Sequence, residues 1–441
     1  MAWIQSILPD AARCFSPYDL AAEFNQGDRV KTVLMIAYHF PPLAGSSGIQ
    51  RTLRFVQHLP ALGWQPIVLT ADPRAYERTS PDLMKDVPDG TVVRRAFALD
   101  TARHLNIRGR YMGWMARPDR WTSWRFDAVR QGLKMVKQFK PDAIWSTYPI
   151  ATAHVIAQQL QRKTGLPWMA DFRDPMAQMG YPADPDTWRS YQRIEQEAVE
   201  RASRSVFTTP GAAQMYRERY PQAASRITVL ENGYDEESFA NTPPAPVRML
   251  TDDQPVVLLH SGIVYPSERD PTQLFQALQR LQASGDLTAR QLTLRFRASA
   301  HDDMLAQLAR QYGVQDFIEL CPAVPYREAL AEMLSVDALL VMQASNCNAQ
   351  IPAKIYEYLR AGRPILGLTD PTGDTAGVLR SAGLDTMARI DSVDEIAAAL
   401  PRFVAAVQAR AVRLPDPSAV RNASRQGRSE AFAQLLNGVV R

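Results

Sequence analysis

The stretch Ile351-Pro-Ala-Lys-Ile-Tyr-Glu-Tyr-Leu-Arg-Ala-Gly-Arg-Pro-Ile-Leu-Gly367 decides how the rest of the chain is interpreted. Pro352 suits the first turn of a helix, and nothing in residues 354–361 interrupts helical structure. Gly362 is a suitable residue to end that helix, and Pro364 prevents it from continuing. The apolar residues that follow predict a buried strand, so the stretch predicts a helix followed by a strand.

The start of this predicted helix suits a phosphate group, because the first N–H groups of a helix lack partners within it. Lys354 adds positive charge to the first turn. Glu357, one turn later, can accept hydrogen bonds from a ribose diol. Taken alone, the same residues fit an ordinary amphipathic helix whose lysine and glutamate are solvated.

The segment resembles the nucleotide-sugar signature of GT-B glycosyltransferases, in particular the large retaining family 4 group. In that family a Glu-x7-Glu motif precedes Ala-x-Gly-x-Pro-Val/Ile. Glu357 and residues 361–365 match the second half, whereas the first acid, which the family associates with the donor sugar, falls at Ala349. The resemblance implies an α/β fold of two Rossmann-like domains whose parallel sheets face a central cleft.

The composition agrees with a soluble protein of two domains. A chain of 441 residues is too long for one hydrophobic core, and 46% apolar residues suffice for two. The formal net charge of +4, from 50 basic and 46 acidic residues, is too small to imply a nucleic-acid partner.

The three cysteines and six histidines are scattered along the sequence. Their spacing predicts neither a disulfide framework nor a metal site. No stretch approaches the roughly 18 apolar residues of a membrane-spanning helix. The first residues lack the basic region of a signal peptide. We therefore expect a cytoplasmic protein, with peripheral contact to the cytoplasmic face of the membrane.

A strand, a small-residue loop and a helix open the first predicted domain. Residues 31–37 form a continuous apolar run, and Gly45 and Gly48 in the loop that follows permit close approach of a ligand. An ordinary turn also fits these glycines. However, Phe40-Pro-Pro-x-x-Gly looks like the first loop of family 4 transferases, which implies that Gly45 and Gly48 approach the donor phosphates and the acceptor.

A charged cluster, Asp171-Phe-Arg-Asp-Pro175, follows a strand predicted over residues 166–170. It fits either a polar group facing the cleft or a turn held by local ion pairs. Because it resembles the corresponding loop of polysaccharide-type family 4 members, we place Asp171 and Asp174 among the catalytic residues. We expect them to orient the acceptor rather than to transfer a proton.

Residues 103–125 hold six arginines against one acid, Asp119, and four large aromatic residues. Such a mixture is typical of contact with anionic lipid headgroups or with a pyrophosphate-bearing acceptor. A basic loop with partly buried aromatic side chains fits equally well, and RNA binding is disfavoured because no RNA-binding motif is present. The residues assigned to acceptor or membrane contact are Arg108, Arg110, Trp114, Trp121 and Arg173.

The second half repeats the plan of strand, glycine loop and helix, starting at residue 255. The resemblance implies that Gly262 and Arg269 hold the donor diphosphate, with Arg269-Asp270 replacing the family's common Lys-Gly pair. Tyr326 lies in a turn where the family's loops contact the base. The donor-binding residues are therefore predicted to be Gly45, Gly48, Gly262, Arg269, Pro352, Lys354, Glu357 and Tyr326.

The junction between the halves carries Asn232-Gly233-Tyr-Asp, which matches the family's Asn-Gly-x-Asp-x3-Phe pattern, and a proline-rich segment follows it. The predicted boundaries are an extension (1–30), an acceptor-side domain (31–240), a linker (241–254), a nucleotide-sugar domain (255–425) and a helix returning to the first domain (426–441).

We predict a retaining hexosyl-type glycosyltransferase that uses a UDP- or GDP-sugar and a polysaccharide or lipid-linked acceptor, with no metal or other cofactor. Arg269 and Lys354 would stabilise the charge on the departing diphosphate. Two alternatives remain at this stage. One is a nucleotide-sugar epimerase of GT-B fold, and the other is a non-catalytic sugar-nucleotide-binding partner of another transferase, which the missing acid at Ala349 favours.

Overall fold

The protein is described by a computed structural model covering residues 29–46, 48–242, 251 and 254–440. Most of the predicted extension (1–30) and of the predicted linker (241–254) lies outside these residues. The described chain forms two parallel β-sheets, one of seven and one of six strands, with helices packed against them. The predicted α/β fold of two Rossmann-like domains is confirmed.

The first sheet has the strand order β3-β2-β1-β4-β5-β6-β7. Its strands are β1 (Lys31–Ile36), β2 (Trp64–Ala71), β3 (Val92–Ala96), β4 (Ala143–Thr147), β5 (Trp168–Arg173), β6 (Arg204–Phe207) and β7 (Ile227–Val229). The helices of this half are α1 (Gly48–His58), α2 (Thr101–His104), α3 (Trp124–Phe139), α4 (Ala151–Thr164), α5 (Pro185–Arg201), α6 (Pro210–Arg219) and α7 (Glu236–Ala240).

The second sheet has the order β10-β9-β8-β11-β12-β13. Its strands are β8 (Val256–Ser261), β9 (Leu292–Arg297), β10 (Ile318–Cys321), β11 (Ala338–Gln343), β12 (Ile365–Thr369) and β13 (Met387–Ala388). Its helices are α8 (Thr272–Ser284), α9 (Asp302–Tyr312), α10 (Tyr326–Ser335), α11 (Lys354–Ala361), α12 (Asp374–Ser381), α13 (Val393–Gln408) and α14 (Pro417–Asn422), and they are followed by α15 (Arg425–Val439).

The strand order of both sheets reverses at a central pair, β1 with β4 and β8 with β11. In open parallel sheets the loops at the carboxyl ends of such a pair diverge and leave a crevice for ligands. The loop after β8 carries Gly262 and Arg269, and the loop after β11 leads to Lys354. Topology alone therefore brings the predicted diphosphate-binding residues to one edge of the second sheet.

The strands of the central pairs are buried on both faces, as their apolar sequences require. Residues 33–36 of β1 are all inaccessible to solvent, and so are nearly all of residues 256–261 in β8. The sequence pattern does not predict β3, because this short strand is only half-buried and contains two arginines. Strand β5 extends to Arg173 rather than ending at residue 170, so the charged cluster begins inside the strand.

The last helix, α15, returns to the first sheet and packs there, as predicted. Phe432 stacks on Phe55 of α1 with ring centroids 4.4 Å apart. Asn437 accepts hydrogen bonds from Lys31 Nζ at 3.0 Å and from Trp64 Nε1 at 3.2 Å. The chain thus crosses between the halves twice, first after β7 and again before α15. The two crossings pair through backbone hydrogen bonds between Tyr234 and residues 423 and 425.

Candidate functional site

The loop after β8 brings a backbone with positive φ against the side chain of Lys354. Gly262 has φ +113°, and a Cβ atom placed there would lie 2.5 Å from Lys354 Nζ. Any larger residue at position 262 would therefore strain the backbone and displace the lysine. The sequence pairs these two residues only through the resemblance, whereas the structure brings them into contact.

Lys354 lies in the first turn of α11 with its ammonium group largely removed from solvent. The Nζ atom donates to the carbonyl oxygen of Ser261 and approaches His260 Nε2 at 3.4 Å. Because His260 Nδ1 faces the carbonyl of Leu340 at 3.0 Å, Nε2 is left as an acceptor. Burial and the nearby guanidinium of Arg269 lower the pKa of Lys354 to about 7.

Arg269 supplies a second cation to this edge. Its Nη1 donates to the carbonyl of Ile263 at 2.9 Å, and its guanidinium lies 5.2 Å from the ring centroid of Tyr265. Within the described chain its buried Nε has no hydrogen-bond partner, and no carboxylate forms an ion pair with it. Arg269 and Lys354 therefore present uncompensated positive charge beside Gly262.

Glu357 and Tyr326 meet as a hydrogen-bonded pair, although 31 positions separate them. The Tyr326 hydroxyl, at the start of α10, donates to Glu357 Oε1 at 2.7 Å. Burial raises the pKa of Glu357, while this hydrogen bond and the charges of Arg425 and Lys354 act in the opposite direction. The second carboxylate oxygen remains for a ligand.

The start of α11 differs from the prediction. The helix begins at Lys354 after Ala353, whereas Pro352 lies in the turn before it and accepts a hydrogen bond from the N–H of Ile355. Proline is tolerated in a first turn but is not required to be in one. The carboxyl end agrees with the prediction, because Gly362 adopts φ +63°.

Ala349, at the position of the family's first acid, packs directly against the other half of the protein. Thr209 Oγ1 donates to its carbonyl oxygen at 2.8 Å. A Cβ added to Gly211 would lie 2.7 Å from the Ala349 Cβ, and the Gly211 N–H donates to Asp374 at 2.7 Å. The start of α6 therefore fills the space that a glutamate at 349 would need.

The first loop places Gly48 at the beginning of α1, close to two side chains. A Cβ at Gly48 would lie 2.4 Å from His39 Nδ1 and 2.9 Å from Arg173 Nη1. Gly45, with φ +79°, has no atom within 4 Å of such a Cβ, so its role is to form the turn. Burial and the charge of Arg173 lower the pKa of His39 to about 4, so this imidazole is neutral at pH 7.

Asp171 belongs to an ion pair inside the first domain. It is inaccessible to solvent, and Arg51 of α1 reaches its two oxygens at 2.8 and 3.2 Å. Thr147 donates to it at 3.3 Å. Asp171 is therefore neither a group facing the cleft nor part of a turn held by local ion pairs, because its partner lies on α1, 120 positions away. In contrast, the Asp174 residue is exposed, although desolvation by the protein around its carboxyl group raises the pKa of that group.

Arg173 is presented by an irregular strand end. The register of β5 against β6 shifts between Asp171 and Arg173, and Arg173 has φ +61°. Thr208 holds this backbone by donating twice to the Arg173 carbonyl oxygen, from its N–H at 2.9 Å and from Oγ1 at 2.8 Å. A bulge of this kind redirects a side chain, here into the cleft.

The basic and aromatic stretch 103–125 divides into buried and exposed parts. Trp121 packs against the core and donates to the Ala75 carbonyl at 3.3 Å, so it is less available to a partner than predicted. Arg108 and Arg110 lie in an exposed turn, and Trp114 is 66% exposed. Contact with an acceptor or a membrane therefore stays a prediction for the exposed turn, whereas Trp121 is largely taken up by core packing.

A cavity of about 90 Å³ opens at the crossing point of the chain, and sequence reasoning missed most of its residues. Two of them, Arg425 and Arg428, lie in the first turn of α15, where the helix dipole disfavours cations. Basic residues in that position oppose the positive end of the helix dipole. Residues that violate a local preference in this way occur at functional sites. The lining residues are Arg51, Arg54, Phe55, Arg173, Glu231, Asn232, Gly233, Ala353, Arg425 and Arg428.

Two classes of feature are not found in the described residues. No group of three or more histidine, cysteine, aspartate or glutamate side chains is arranged to hold a metal ion there. Within that same part of the chain, none of the helices has the length and apolar character needed to cross a bilayer.

Residues 47–233 match the family model described as "Glycosyl transferase 4-like domain". This range runs from the first loop to the Asn232-Gly233 junction, so it includes the Asp171 cluster and the exposed turn. No curated protein is similar enough in sequence to match the chain.

Solved structures with the same fold include several glycosyltransferases. A glycosyltransferase from Rickettsia africae ESF-5 is 12% identical, with a TM-score of 0.62 over 93% of this chain and 99% of that one. HepE from Anabaena in complex with UDP-glucose is 12% identical, with a TM-score of 0.54 over 92% and 99%. A lipopolysaccharide outer core galactosyltransferase, WaaB, is 12% identical, with a TM-score of 0.58 over 91% and 99%.

These structural similarities establish a shared fold, and the sequence match covers residues 47–233. The chain therefore contains a glycosyl transferase 4-like domain and has the two-sheet fold of the GT-B glycosyltransferases to which it is similar.

Proposed function

We propose that the protein transfers a hexosyl residue from a nucleotide sugar to a polysaccharide or lipid-linked acceptor with retention of anomeric configuration. The observation that carries the proposal is the pair of cations at Gly262, because Arg269 and Lys354 lie together without carboxylate partners in the described chain. Such a pair is suited to the diphosphate of a donor and to the charge that develops as it departs.

The donor would lie across the carboxyl edge of the second sheet. Arg269 provides a planar guanidinium for bidentate contact with one phosphate. Lys354 provides a compact charge that gains most from the leaving diphosphate in the transition state. Gly45, Gly48 and Pro352 remain predicted contacts at the edges of this site.

The ribose would bind beside the Tyr326–Glu357 pair. Tyr326 holds Glu357 Oε1, which orients the carboxylate and leaves Oε2 to accept from a ribose hydroxyl. We place the base near Tyr326, and a uridine base agrees with the UDP and UDP-glucose bound by HepE. A GDP-sugar is the other donor to be tested.

Retention of configuration rests on the family resemblance. Attack from the face that the diphosphate leaves needs no protein nucleophile, and the buried, ion-paired Asp171 is poorly placed to act as one. We therefore assign the chemistry to the charge on Arg269 and Lys354, with closure of the domains excluding water. Asp174, on the cleft surface, remains a candidate for orienting the acceptor hydroxyl.

The acceptor side would face the cytoplasmic membrane surface through the exposed turn. Ile107 and Met112 are 80% and 64% exposed, and together with Trp114, Arg108 and Arg110 they combine apolar and cationic side chains. That combination favours an interface with anionic lipid. Flotation with anionic vesicles tests the assignment, since Trp114→Ser with Arg110→Gln should lose vesicle binding that wild-type protein shows.

The experiment that tests the transferase proposal measures nucleoside diphosphate release from UDP- and GDP-hexoses, with and without glycan or lipid-linked acceptors. We expect the release of nucleoside diphosphate from one of the two donor classes to depend on the acceptor. We also expect NMR of the first product formed to show the same anomeric configuration as the donor. An inverted product would overturn retention. Conversion of the donor sugar without acceptor would indicate the epimerase, and donor binding without turnover would indicate the non-catalytic partner.

A further inference from the structure

The cavity at the crossing point contains more positive charge than the surrounding carboxylates neutralise. Five of its lining residues are arginines, and three of these are engaged by acids. Arg51 pairs with Asp171, Arg54 pairs with Asp235 at 2.8 Å and with Glu237 at 2.9 Å, and Arg428 pairs with Glu231 at 2.5 Å. Within the described residues, Arg173 and Arg425 form no ion pair.

Arg173 has few hydrogen-bond partners for a guanidinium group, which carries five N–H donors. In the described chain its buried Nε lacks a hydrogen-bond partner, and its Nη1 reaches only the Tyr148 carbonyl oxygen at 3.5 Å. A buried donor without an acceptor is costly, so this guanidinium keeps N–H donors that a ligand in the cavity can satisfy. The positive φ of the residue adds a backbone cost that the fold tolerates.

Arg425 approaches the same cavity from α15. It donates to the carbonyl of Gly233 at 3.2 Å and to Gln50 Oε1 at 3.2 Å, both neutral acceptors. Burial lowers the pKa of Arg425 and, together with the charge of Arg51, that of Arg173. In the part of the chain that is described, carboxylates act on both guanidiniums without forming a direct ion pair, and burial of a charge without such a partner raises the free energy of the folded protein.

The cavity adjoins the proposed donor site at Ala353, but the two cations proposed to hold the donor diphosphate do not line it. Neither Lys354 nor Arg269 lines it, and the Lys354 ammonium points towards Ser261 and Gly262. The cavity is lined instead by Arg173 at the irregular end of β5 and by Arg425 and Arg428 at the start of α15. A single nucleoside diphosphate held by Lys354 and Arg269 therefore leaves the charge of Arg173 and Arg425 uncompensated.

We propose that Arg173 and Arg425 form a second anion site in the cleft, which binds a phosphate group carried by the acceptor. This substrate class rests on the proposed function, since it assumes that the donor occupies the other cation pair. The phosphate could belong to a soluble sugar phosphate or to the diphosphate of a lipid carrier, and both offer oxygens that suit bidentate guanidinium contact.

Calorimetric titration with inorganic phosphate, in the presence and absence of saturating UDP, tests the site. We expect phosphate to bind in both conditions, and Arg173→Gln and Arg425→Gln each to weaken it by about 10- to 100-fold. Both variants should retain UDP binding. Arg269→Gln should show the reverse, with UDP binding lost and phosphate binding kept.

The matched control is Arg310→Gln, which removes an exposed arginine of α9 outside the cavity and should bind both ligands as wild type does. Circular dichroism and melting curves establish that each variant is folded. If Arg173→Gln unfolds the protein, Arg425→Gln provides the same test from a different element. Phosphate binding that saturating UDP abolishes, or that both folded cavity variants retain, would overturn the proposal.

Two further titrations identify the source of the phosphate. A hexose 6-phosphate should compete with inorganic phosphate if the acceptor is soluble, and phosphatidylcholine vesicles containing polyprenyl diphosphate should do so if it is a lipid. Competition by either compound supports the site, and competition by neither contradicts it. If phosphate binds through Arg173 while UDP does not bind at all, the anion site stands and the donor assignment fails.

Discussion

The two sheets present their positive charges to the cleft in different ways. On the first sheet, Arg51 and Arg54 are buried and each is neutralised by carboxylates. On the second sheet, the direct contacts of Arg269 and Lys354 in the described structure are to backbone, ring and imidazole groups, and neither forms an ion pair with a carboxylate there. Compensated arginines stabilise the fold, whereas uncompensated cations are available to a ligand. The sequence shows the same residue types in both places, and only their partners separate the two roles.

The largest expected effect is on the free energy of unfolding and comes from breaking the Arg51–Asp171 ion pair. Asp171→Asn leaves Arg51 buried without its counter-charge, so the free energy of unfolding of the first domain should fall by roughly 3–5 kcal/mol. Urea denaturation measures this fall. Asp391→Asn, which breaks the exposed pair with Arg389, should cost no more than about 1 kcal/mol. Equal stability of Asp171→Asn and wild type would contradict the structural role of Asp171.

Removing an uncompensated cation should affect turnover instead of folding. Arg269→Gln should lower kcat/KM for sugar transfer by roughly 100- to 1000-fold, because an electrostatic contact to the leaving diphosphate is lost. Its melting temperature should stay close to that of wild type. Arg310→Gln is the control with unchanged activity. Full turnover by Arg269→Gln would show that Arg269 does not contact the leaving diphosphate.

The pH dependence of donor binding sharpens the comparison at Lys354. With its pKa lowered to about 7, the ammonium group is mostly protonated below pH 7 and loses its proton above that value. A diphosphate needs the charged form, so UDP affinity should fall by up to about tenfold per pH unit above pH 7. Lys354→Arg keeps the charge at every accessible pH and should remove this slope.

Comparing the two proteins cancels the titration of UDP itself. The groups facing the Lys354 ammonium are neutral His260, Arg269 and Glu357, and none of them supplies a positive charge that disappears near pH 7. An identical pH profile for wild type and Lys354→Arg would show that the lysine does not contact the diphosphate.

The smallest expected effect concerns the ribose contact. Tyr326→Phe removes the hydroxyl that orients Glu357, so UDP affinity should fall several-fold, equivalent to about 1 kcal/mol. Calorimetry measures the change. Tyr312→Phe removes a comparable hydroxyl, which accepts from Gln276 on the outer helices, and should leave affinity unchanged. Similar UDP affinities of Tyr326→Phe and Tyr312→Phe would show that the Tyr326 hydroxyl does not contribute to donor binding.

Much of the fold follows from local sequence patterns. The helix over residues 354–361 and its end at Gly362 agree with the structure, because propensity, periodicity and the glycine and proline stops all act within a few residues. The start was misplaced at Pro352, since proline is compatible with positions just before and just inside a helix. Strand β3 escaped prediction because its exposure at the sheet edge gives no apolar run.

The site was less predictable, because charge compensation depends on residues that are distant in sequence. Arg51 and Asp171 are 120 positions apart, and nothing near either residue indicates that they neutralise each other. Likewise, Arg425 reaches the cavity only because α15 returns to the first domain. The helix pattern alone predicted roles for Lys354 and Glu357, whereas Gly262 and Arg269 were joined to them only because the resemblance supplied a long-range relation that spacing does not contain.

The most direct test of the donor site is calorimetric binding of UDP and GDP to wild-type protein, Arg269→Gln and Arg310→Gln. We expect one nucleoside diphosphate to bind wild type and Arg310→Gln with equal affinity, and Arg269→Gln to lose this binding while remaining folded. Folded wild-type protein that binds neither nucleotide, or an Arg269→Gln variant that binds as tightly as wild type, would contradict the proposed donor site.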